Sequence, residues 1–265
     1  MLPLLDNLDK LELFLSSKKP ALITDVDGTI SRIVDDPKEA MVSEPCRHSL
    51  KQLAQQLSVI GAISGRRAED AREKVGVDGV LYMGNHGLER WSSVGTMYWG
   101  GMQVYTQIVP EVLASVQEKL DIDGLIFEDK GVSASVHYRR TSDKELARSK
   151  IMEALVGIEE KGFVIKEGRM VVEIRPDTPV NKGLAVMSVL EEYDVTAAIY
   201  LGDDVTDIDG FNGLRRWAME RKFFCAAIAV LSPEAPEELK QKADYYVNSV
   251  DDVEDFLAWL VRSLG

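Results

Sequence analysis

Asp25 and Asp27 stand two residues apart in Asp25-Val26-Asp27-Gly28-Thr29, directly behind the apolar run Ala21-Leu22-Ile23-Thr24. Side chains two apart on an extended chain point the same way, so both carboxylates can face one ligand while Val26 turns into packing. Gly28 then permits a sharp turn. Two acids this close repel, and both stay ionised near neutrality only where a cation or strong donors offset them. A divalent ion meets that need, and oxygen donors with few histidines nearby suit Mg2+. An ordinary Asp-Gly turn with a solvated acid has the same local sequence, so the groups that accompany this pair decide between the two.

Three further groups follow in order. Ser64-Gly65-Arg66 comes after the apolar run Val59–Ile63, where a hydroxyl and helix N-terminal amides can hold a phosphate oxygen, or where Ser64 merely caps a helix. Lys182 opens a helix, against the preference of the helix dipole; a nearby anion would explain it, and a solvated lysine is the alternative. In Gly202-Asp203-Asp204-Val205-Thr206-Asp207, the acids Asp203 and Asp207 are four apart. That spacing puts both on one face of a first helical turn, a place that also suits acids for dipole reasons alone.

Positioning these groups falls to alternating strands and helices. Hydrophobic spacing predicts a helix over 8–16, a strand over 21–25, a helix over 46–57, a strand over 59–63 and a helix over 68–75. That order implies a parallel sheet covered by helices, with ligands at the carboxyl ends of its strands. From about Tyr105 the pattern changes to a helix over 110–120, strands over 125–129 and 132–138, a helix over 144–158, and strands over 163–167 and 170–174. Alternation in Ser133-Ala134-Ser135-Val136-His137-Tyr138 fits an antiparallel sheet with one packed face. Past Pro176 and Pro179 the first rhythm returns, with a helix over 182–193 and strands over 197–202 and 225–230. The expected fold class is α/β: a Rossmann-like parallel-sheet core in 1–103 and 177–265, with an inserted α+β domain in 104–176. Gly100-Gly101 and the stretch 176–179 mark the crossings between the two.

A formal net charge of −13 excludes nonspecific nucleic-acid binding, which needs Lys and Arg against phosphates, and favours a small polar ligand met by a few particular cations. No run of about 18 apolar residues predicts a membrane span. Asp6, Asp9, Lys10 and Glu12 interrupt the first fifteen residues, so no signal-peptide core is expected there. Cys46 and Cys225 have no zinc-like spacing, and reduced thiols in a cytoplasmic chain are the expectation.

The ordered set Asp25-Val26-Asp27-Gly28-Thr29, Ser64-Gly65-Arg66, Lys182 and Gly202–Asp207 resembles the haloacid dehalogenase superfamily of Mg2+-dependent aspartate-nucleophile phosphatases. More narrowly, five segments resemble its trehalose-6-phosphate phosphatase family: Val34-Asp35-Asp36-Pro37, Gly84-Asn85-His86-Gly87-Leu88-Glu89, Glu128-Asp129-Lys130-Gly131, His137-Tyr138-Arg139 and Val172-Glu173-Ile174-Arg175-Pro176. Ile208 stands where that family often has an acid, and Gly210-Phe211-Asn212 is unusual for it. The resemblance implies that Asp25 attacks phosphorus and that Asp27 serves as general acid and base. It implies that Ser64 and Lys182 hold the phosphoryl oxygens with help from Arg66. Asp25 and Asp203 would hold Mg2+ by side chain and Asp27 by its carbonyl, with Asp207 in support. It makes the insertion a cap whose Glu128, Lys130 and Glu173 bind sugar hydroxyls, and it makes Asn85 and His86 substrate-pocket residues. Neither His86 nor His137 is expected to bind metal.

The implied substrate is a small sugar phosphate, foremost trehalose 6-phosphate, with a functional link to a separate trehalose-6-phosphate synthase. Sucrose-phosphate or glycosyl-glycerate phosphate is the near alternative within the same mechanism. A non-catalytic sugar-phosphate sensor is the distant one, and it has no need of a general acid beside a nucleophile.

Overall fold

The computed structural model describes all residues but 35, 37, 38 and 234, so Asp35 and Pro37 of the Val34–Pro37 segment lie outside the described residues. Two compact units divide the chain, one from Met1–Met97 with Val180–Gly265 and the other Tyr98–Pro179. Gly100 and Gly101, expected at a crossing, fall inside the second unit, in a 3-10 segment where both take positive φ.

Along the first unit run β1 (Leu2–Pro3), α1 (Glu12–Leu15), β2 (Pro20–Thr24), α2 (Glu44–Leu53), β3 (Val59–Ile63), α3 (Ala68–Val75), β4 (Val80–Gly84), β5 (Glu89–Ser92) and all of β6 (Gly95–Tyr98) but its last residue. The second unit holds α4 (Tyr105–Lys119), β7 (Ile126–Asp129), β8 (Ala134–His137), α5 (Lys144–Ala154), β9 (Phe163–Gly168) and β10 (Val171–Pro176). The first unit resumes with α6 (Lys182–Glu192), β11 (Ala197–Gly202), α7 (Val205–Arg221), β12 (Phe224–Val230), α8 (Glu237–Lys242), β13 (Tyr245–Val247) and α9 (Val250–Leu264).

The described strands of the first unit form a nine-stranded sheet in the order β1-β13-β12-β11-β2-β3-β4-β5-β6. Neighbours from β1 to β4 are parallel, and β5 turns back antiparallel on β4. All five residues of β2 are buried: Leu22 packs into one apolar layer, and Ala21 and Ile23 into the other. Burial on both faces explains why β2 reads as an unbroken apolar run. On one side the layer takes residues of α2, α3 and α9; on the other it takes α6, α7 and α8. α6 and α7 meet closely because Gly183 and Gly213 face each other without side chains; a methyl on Gly213 would lie 2.3 Å from the Gly183 carbonyl.

Local chemistry moves several ends from their expected places. The expected helix over 8–16 splits into a 3-10 turn, Leu8–Leu11, and α1. α2 begins earlier than expected because Ser43 caps it, accepting from the Cys46 N–H at 3.3 Å, with Pro45 in the first turn. Asp25 lies just past β2 rather than in it. α5 stops at Ala154, and Gly157, with φ +84, leads into a 3-10 turn instead of more helix. β4 is too short for periodicity to separate it from helix, and β13 and α9 extend the core beyond the last expected strand.

In the second unit β7, β8, β10 and β9 form an antiparallel sheet in that order. One face sends Ala134, Val136, Phe163, Val172 and Ile174 into a core with residues of α4 and α5. By register, Glu128, Ser135, Glu173 and Lys166 lie in one row across the opposite face. Among the described residues no helix is long and apolar enough to cross a membrane.

Candidate active site

β11, β2 and β3 are adjacent and parallel, so their carboxyl ends set Asp203, Asp25 and Ser64 side by side. The Asp25 N–H donates to the Leu201 carbonyl at 2.9 Å, which extends the β2–β11 ladder by one residue and fixes the Asp25 backbone. Thr24 adds a hydroxyl bond to the Asp25 carbonyl at 2.7 Å. Past Asp27 the chain turns at Gly28, whose φ is +90. A side chain there is excluded twice, since a Cβ would also lie 2.2 Å from Asp203 Oδ2.

Lys182 is 2 % exposed and explains its own unfavourable place at the start of α6. Its Nζ donates to Asp25 Oδ1 and to Asp207 Oδ1, each at 2.6 Å. Burial pulls its pKa down, but the carboxylates of Asp207 and Asp25 outweigh that, and it stands above the ordinary lysine value. Asp207, fully buried, accepts four bonds. Oδ1 also takes the Tyr200 hydroxyl at 2.7 Å, and Oδ2 takes the N–H groups of Asp203 and Asp204 at 3.0 Å each. Four donors match the lone pairs of one carboxylate, so Asp207 holds the lysine and the turn after β11. Gly202 makes room for it, because a Cβ there would meet the Asp207 carboxyl carbon at 2.4 Å.

Oxygens of Asp25, Asp203 and Asp207 lie within 4.8 Å of one another, the one group of metal-capable acids among the described residues. Thr29 Oγ1 steadies Asp203 by a 3.3 Å bond to Oδ1. An all-carboxylate set fits a hard divalent ion. The charge count agrees: Asp25, Asp27, Asp203 and Asp207 are met here by Lys182 and Arg66, leaving an excess of acid. Burial accordingly pushes the Asp25 carboxyl up to about 7, with Lys182 opposing and Asp207 and Asp27 adding to the rise. A bound cation removes the reason for that proton.

Arg66, expected to help hold a phosphate, has its guanidinium on Asp27, Nε to Oδ2 at 2.6 Å and Nη2 to Oδ1 at 2.7 Å. Ser64 does not cap α3. Arg67 occupies the cap position, Glu89 takes the Ala68 N–H at 2.6 Å, and Ser64 Oγ accepts from the Arg66 N–H at 3.1 Å. Asn85 and His86, expected in the substrate pocket, stand beside this loop, where their N–H groups donate to the carbonyls of Arg66 at 2.7 Å and Ser64 at 2.9 Å.

The second unit brings Glu128, Lys130 and Glu173 together on the polar face of its sheet. Lys130 Nζ lies 3.5 Å from Glu173 Oε1 and 3.9 Å from Glu128 Oε2. His137 Nε2 is 2.8 Å from the same Glu128 oxygen, and Arg175 reaches Glu173 Oε2 at 2.6 Å. Sequence reasoning missed Tyr200 and Glu89. Their signal was a polar end inside a buried element, visible only once burial is known.

Three comparisons bear on this constellation. A family model described as trehalose-phosphatase matches residues 23–246. A trehalose-phosphate phosphatase of Mycobacterium marinum is 33% identical over 207 residues, 76% of this chain and 53% of that protein, so the chain spans about half the length of the curated relatives it matches. Among solved structures, the C-terminal domain of Candida albicans trehalose-6-phosphate phosphatase aligns with a TM-score of 0.81 at 24% identity, covering 99% of this chain and 98% of that one. A haloacid dehalogenase-like hydrolase from Bacteroides thetaiotaomicron aligns with a TM-score of 0.63 at 17% identity, over 92% of this chain and 100% of that one.

Proposed function

The chain belongs to the trehalose-phosphatase family, and from that premise and its core site we propose that it hydrolyses trehalose 6-phosphate to trehalose and phosphate through an aspartyl phosphate on Asp25. One observation carries this reading. A buried carboxylate at the end of β2 is held on one oxygen by Lys182, beside a group of acids fit for a divalent ion, with a second acid two residues on.

In the first step an Asp25 oxygen attacks phosphorus, the bond from phosphorus to the sugar oxygen breaks, and Asp27 gives that oxygen its proton. Water then attacks the aspartyl phosphate and Asp27 takes the water's proton. The bond between phosphorus and Asp25 breaks, and inorganic phosphate leaves. Lys182 and Ser64 hold the phosphoryl oxygens. Asp25, Asp203 and the Asp27 carbonyl would hold Mg2+, which would supply positive charge against the phosphoryl group. Asp207, with its acceptors filled, keeps Lys182 and Asp203 in place.

In the second unit, the cap, Glu128, Lys130 and Glu173 offer two acceptors and a donor on one face, a set that suits the many hydroxyls of a disaccharide. The setting is the cytoplasm, where a separate trehalose-6-phosphate synthase supplies the substrate. Phosphate release from trehalose 6-phosphate, sucrose 6-phosphate, glucosyl-3-phosphoglycerate and glucose 6-phosphate, with Mg2+ and an Asp25→Asn blank, tests the reading. A preference for trehalose 6-phosphate is expected. Preference for another of the four keeps the mechanism and moves the substrate; no release that depends on Asp25 overturns both.

A further inference from the structure

Arg66 is buried to 9 % exposure, and both prongs of its guanidinium lie on the two oxygens of Asp27, at 2.6 and 2.7 Å. A fork on a fork is the most directional pairing the two groups can make, fixing the carboxylate plane as well as its distance. Asp27 lies past β2 on a turn, with a side chain 34 % exposed, so its own surroundings constrain it less than those of Asp25. Arg66 is the group that sets its orientation.

Arg66 is itself anchored. Its N–H donates to Ser64 Oγ at 3.1 Å, and its carbonyl accepts the Asn85 N–H at 2.7 Å. The donor comes from an unusual turn, in which Asn85, His86 and Gly87 take φ of +49, +58 and +105 in succession. Left-handed backbone costs energy for residues other than glycine and persists where the surroundings compel it. Here the turn aims two successive N–H groups at the loop, one on Arg66 and one, from His86, on the Ser64 carbonyl at 2.9 Å. The His86 ring also lies flush against Gly65, where a Cβ would come within 2.8 Å of it. Glu89 completes the brace, joining the Asn85 side chain to the Ala68 N–H, the latter at 2.6 Å. All of these residues lie in the first unit.

We propose that Arg66 is a positioning residue that acts on the reaction through Asp27, and that the Asn85–Gly87 turn serves to hold Arg66 rather than to bind substrate. This rests on the phosphatase reading above. It deepens that reading by giving Arg66, Asn85 and His86 a role in proton transfer to the leaving oxygen.

The test exploits a difference between leaving groups. A sugar alkoxide needs a proton as its bond to phosphorus breaks, and Asp27 supplies it. In p-nitrophenyl phosphate the aryl oxygen departs as a stable anion with the electron pair and needs no proton. For both substrates kcat/KM reports the steps up to departure of the leaving group. Arg66→Ala is expected to lower kcat/KM for trehalose 6-phosphate by about 100-fold and for p-nitrophenyl phosphate by no more than about threefold. Arg66→Lys keeps the charge without the fork and is expected to fall between, with the same asymmetry, which covers the case in which the alanine variant does not fold. An equal loss on both substrates means that Arg66 contacts the transferring phosphoryl group, and it overturns the proposal. So does the absence of loss on either. Wild-type protein without Asp25-dependent release from either substrate removes the phosphatase reading, and the proposal with it.

Discussion

The two polar clusters of this chain are built on different terms. In the first unit Lys182 and Asp207 are almost wholly buried, and their contacts run from 2.6 to 3.0 Å. In the second unit Glu128 and Glu173 keep 25 % and 15 % of their side chains in solvent, and Lys130 stands 3.5 to 3.9 Å from them. A buried, fully bonded cluster cannot adjust without leaving charges stranded, which suits groups that must meet a transition state in one geometry. In the second cluster Arg175 and His137 hold Glu173 and Glu128 at 2.6 and 2.8 Å, while the longer Lys130 contacts can be exchanged for ligand hydroxyls at less cost, which suits recognition. On the proposed function, chemistry and selection are then separable by mutation.

The largest contrast is in stability. Asp207→Ala leaves Lys182 with one counter-charge and strands the Tyr200 hydroxyl and two backbone amides, and is expected to cost about 3–5 kcal/mol in urea unfolding of the metal-free protein. Glu173→Ala in the second unit, at a side chain that keeps 15 % of its surface in solvent, is expected to cost less, about 1–2 kcal/mol. Equal costs would erase the distinction. Next comes turnover. Lys182→Ala is expected to lower kcat by about 100-fold on sugar and aryl phosphates alike, because in the proposed mechanism the lost cation faces the phosphoryl group common to both. Lys130→Ala is expected to raise KM for trehalose 6-phosphate about tenfold and to leave p-nitrophenyl phosphate within about twofold, since an aryl group offers no sugar hydroxyls. A loss on the aryl substrate as well would place Lys130 in the chemistry.

Legibility in the sequence follows the range of the contacts. The places of Asp25 and Asp27, Ser64 and Asp203 were readable because a strand end is a local event: an apolar run stops and a polar residue follows it. Lys182 was readable from its conflict with the helix dipole, and Asp25 and Asp207 resolve that conflict. The grip of Arg66 on Asp27 spans 39 residues, and nothing local distinguishes an arginine aimed at a phosphate from one aimed at a carboxylate. Asn85 and His86 show a related gap, since the bonds they make to Arg66 and Ser64 come from backbone N–H groups that any sequence carries. Ile208 and Gly210, departures from the family pattern, have packing reasons: Ile208 joins the core, and a Cβ at Gly210 would strike the Tyr200 ring at 2.6 Å. The row Glu128, Ser135, Glu173 and Lys166 needed register, which alternation alone does not fix between strands far apart in the chain.

The smallest expected effect concerns the acid excess of the core site. Without metal, burial first, and then Asp207 and Asp27 against Lys182, hold Asp25 at about 7, above the ordinary carboxylate value of 3.8. Between those values the folded protein binds a proton that the unfolded chain has released, so this group's contribution favours folding more at pH 4 than at pH 7 and is lost as pH rises. A divalent ion reverses the preference, because it takes the ionised form and must displace the proton to bind. Mg2+ should therefore raise Tm by a few degrees at pH 8 and by less at pH 5.5. In Asp25→Asn the proton is gone from the balance, and whatever Mg2+ gain remains through Asp203 should no longer grow with pH. A pH-dependent Mg2+ gain that survives in Asp25→Asn would assign the competition to some other acid and detach the buried pair from the metal. Glu173→Gln should leave the wild-type pattern in place, since the ion and the recognition face then draw on separate residues.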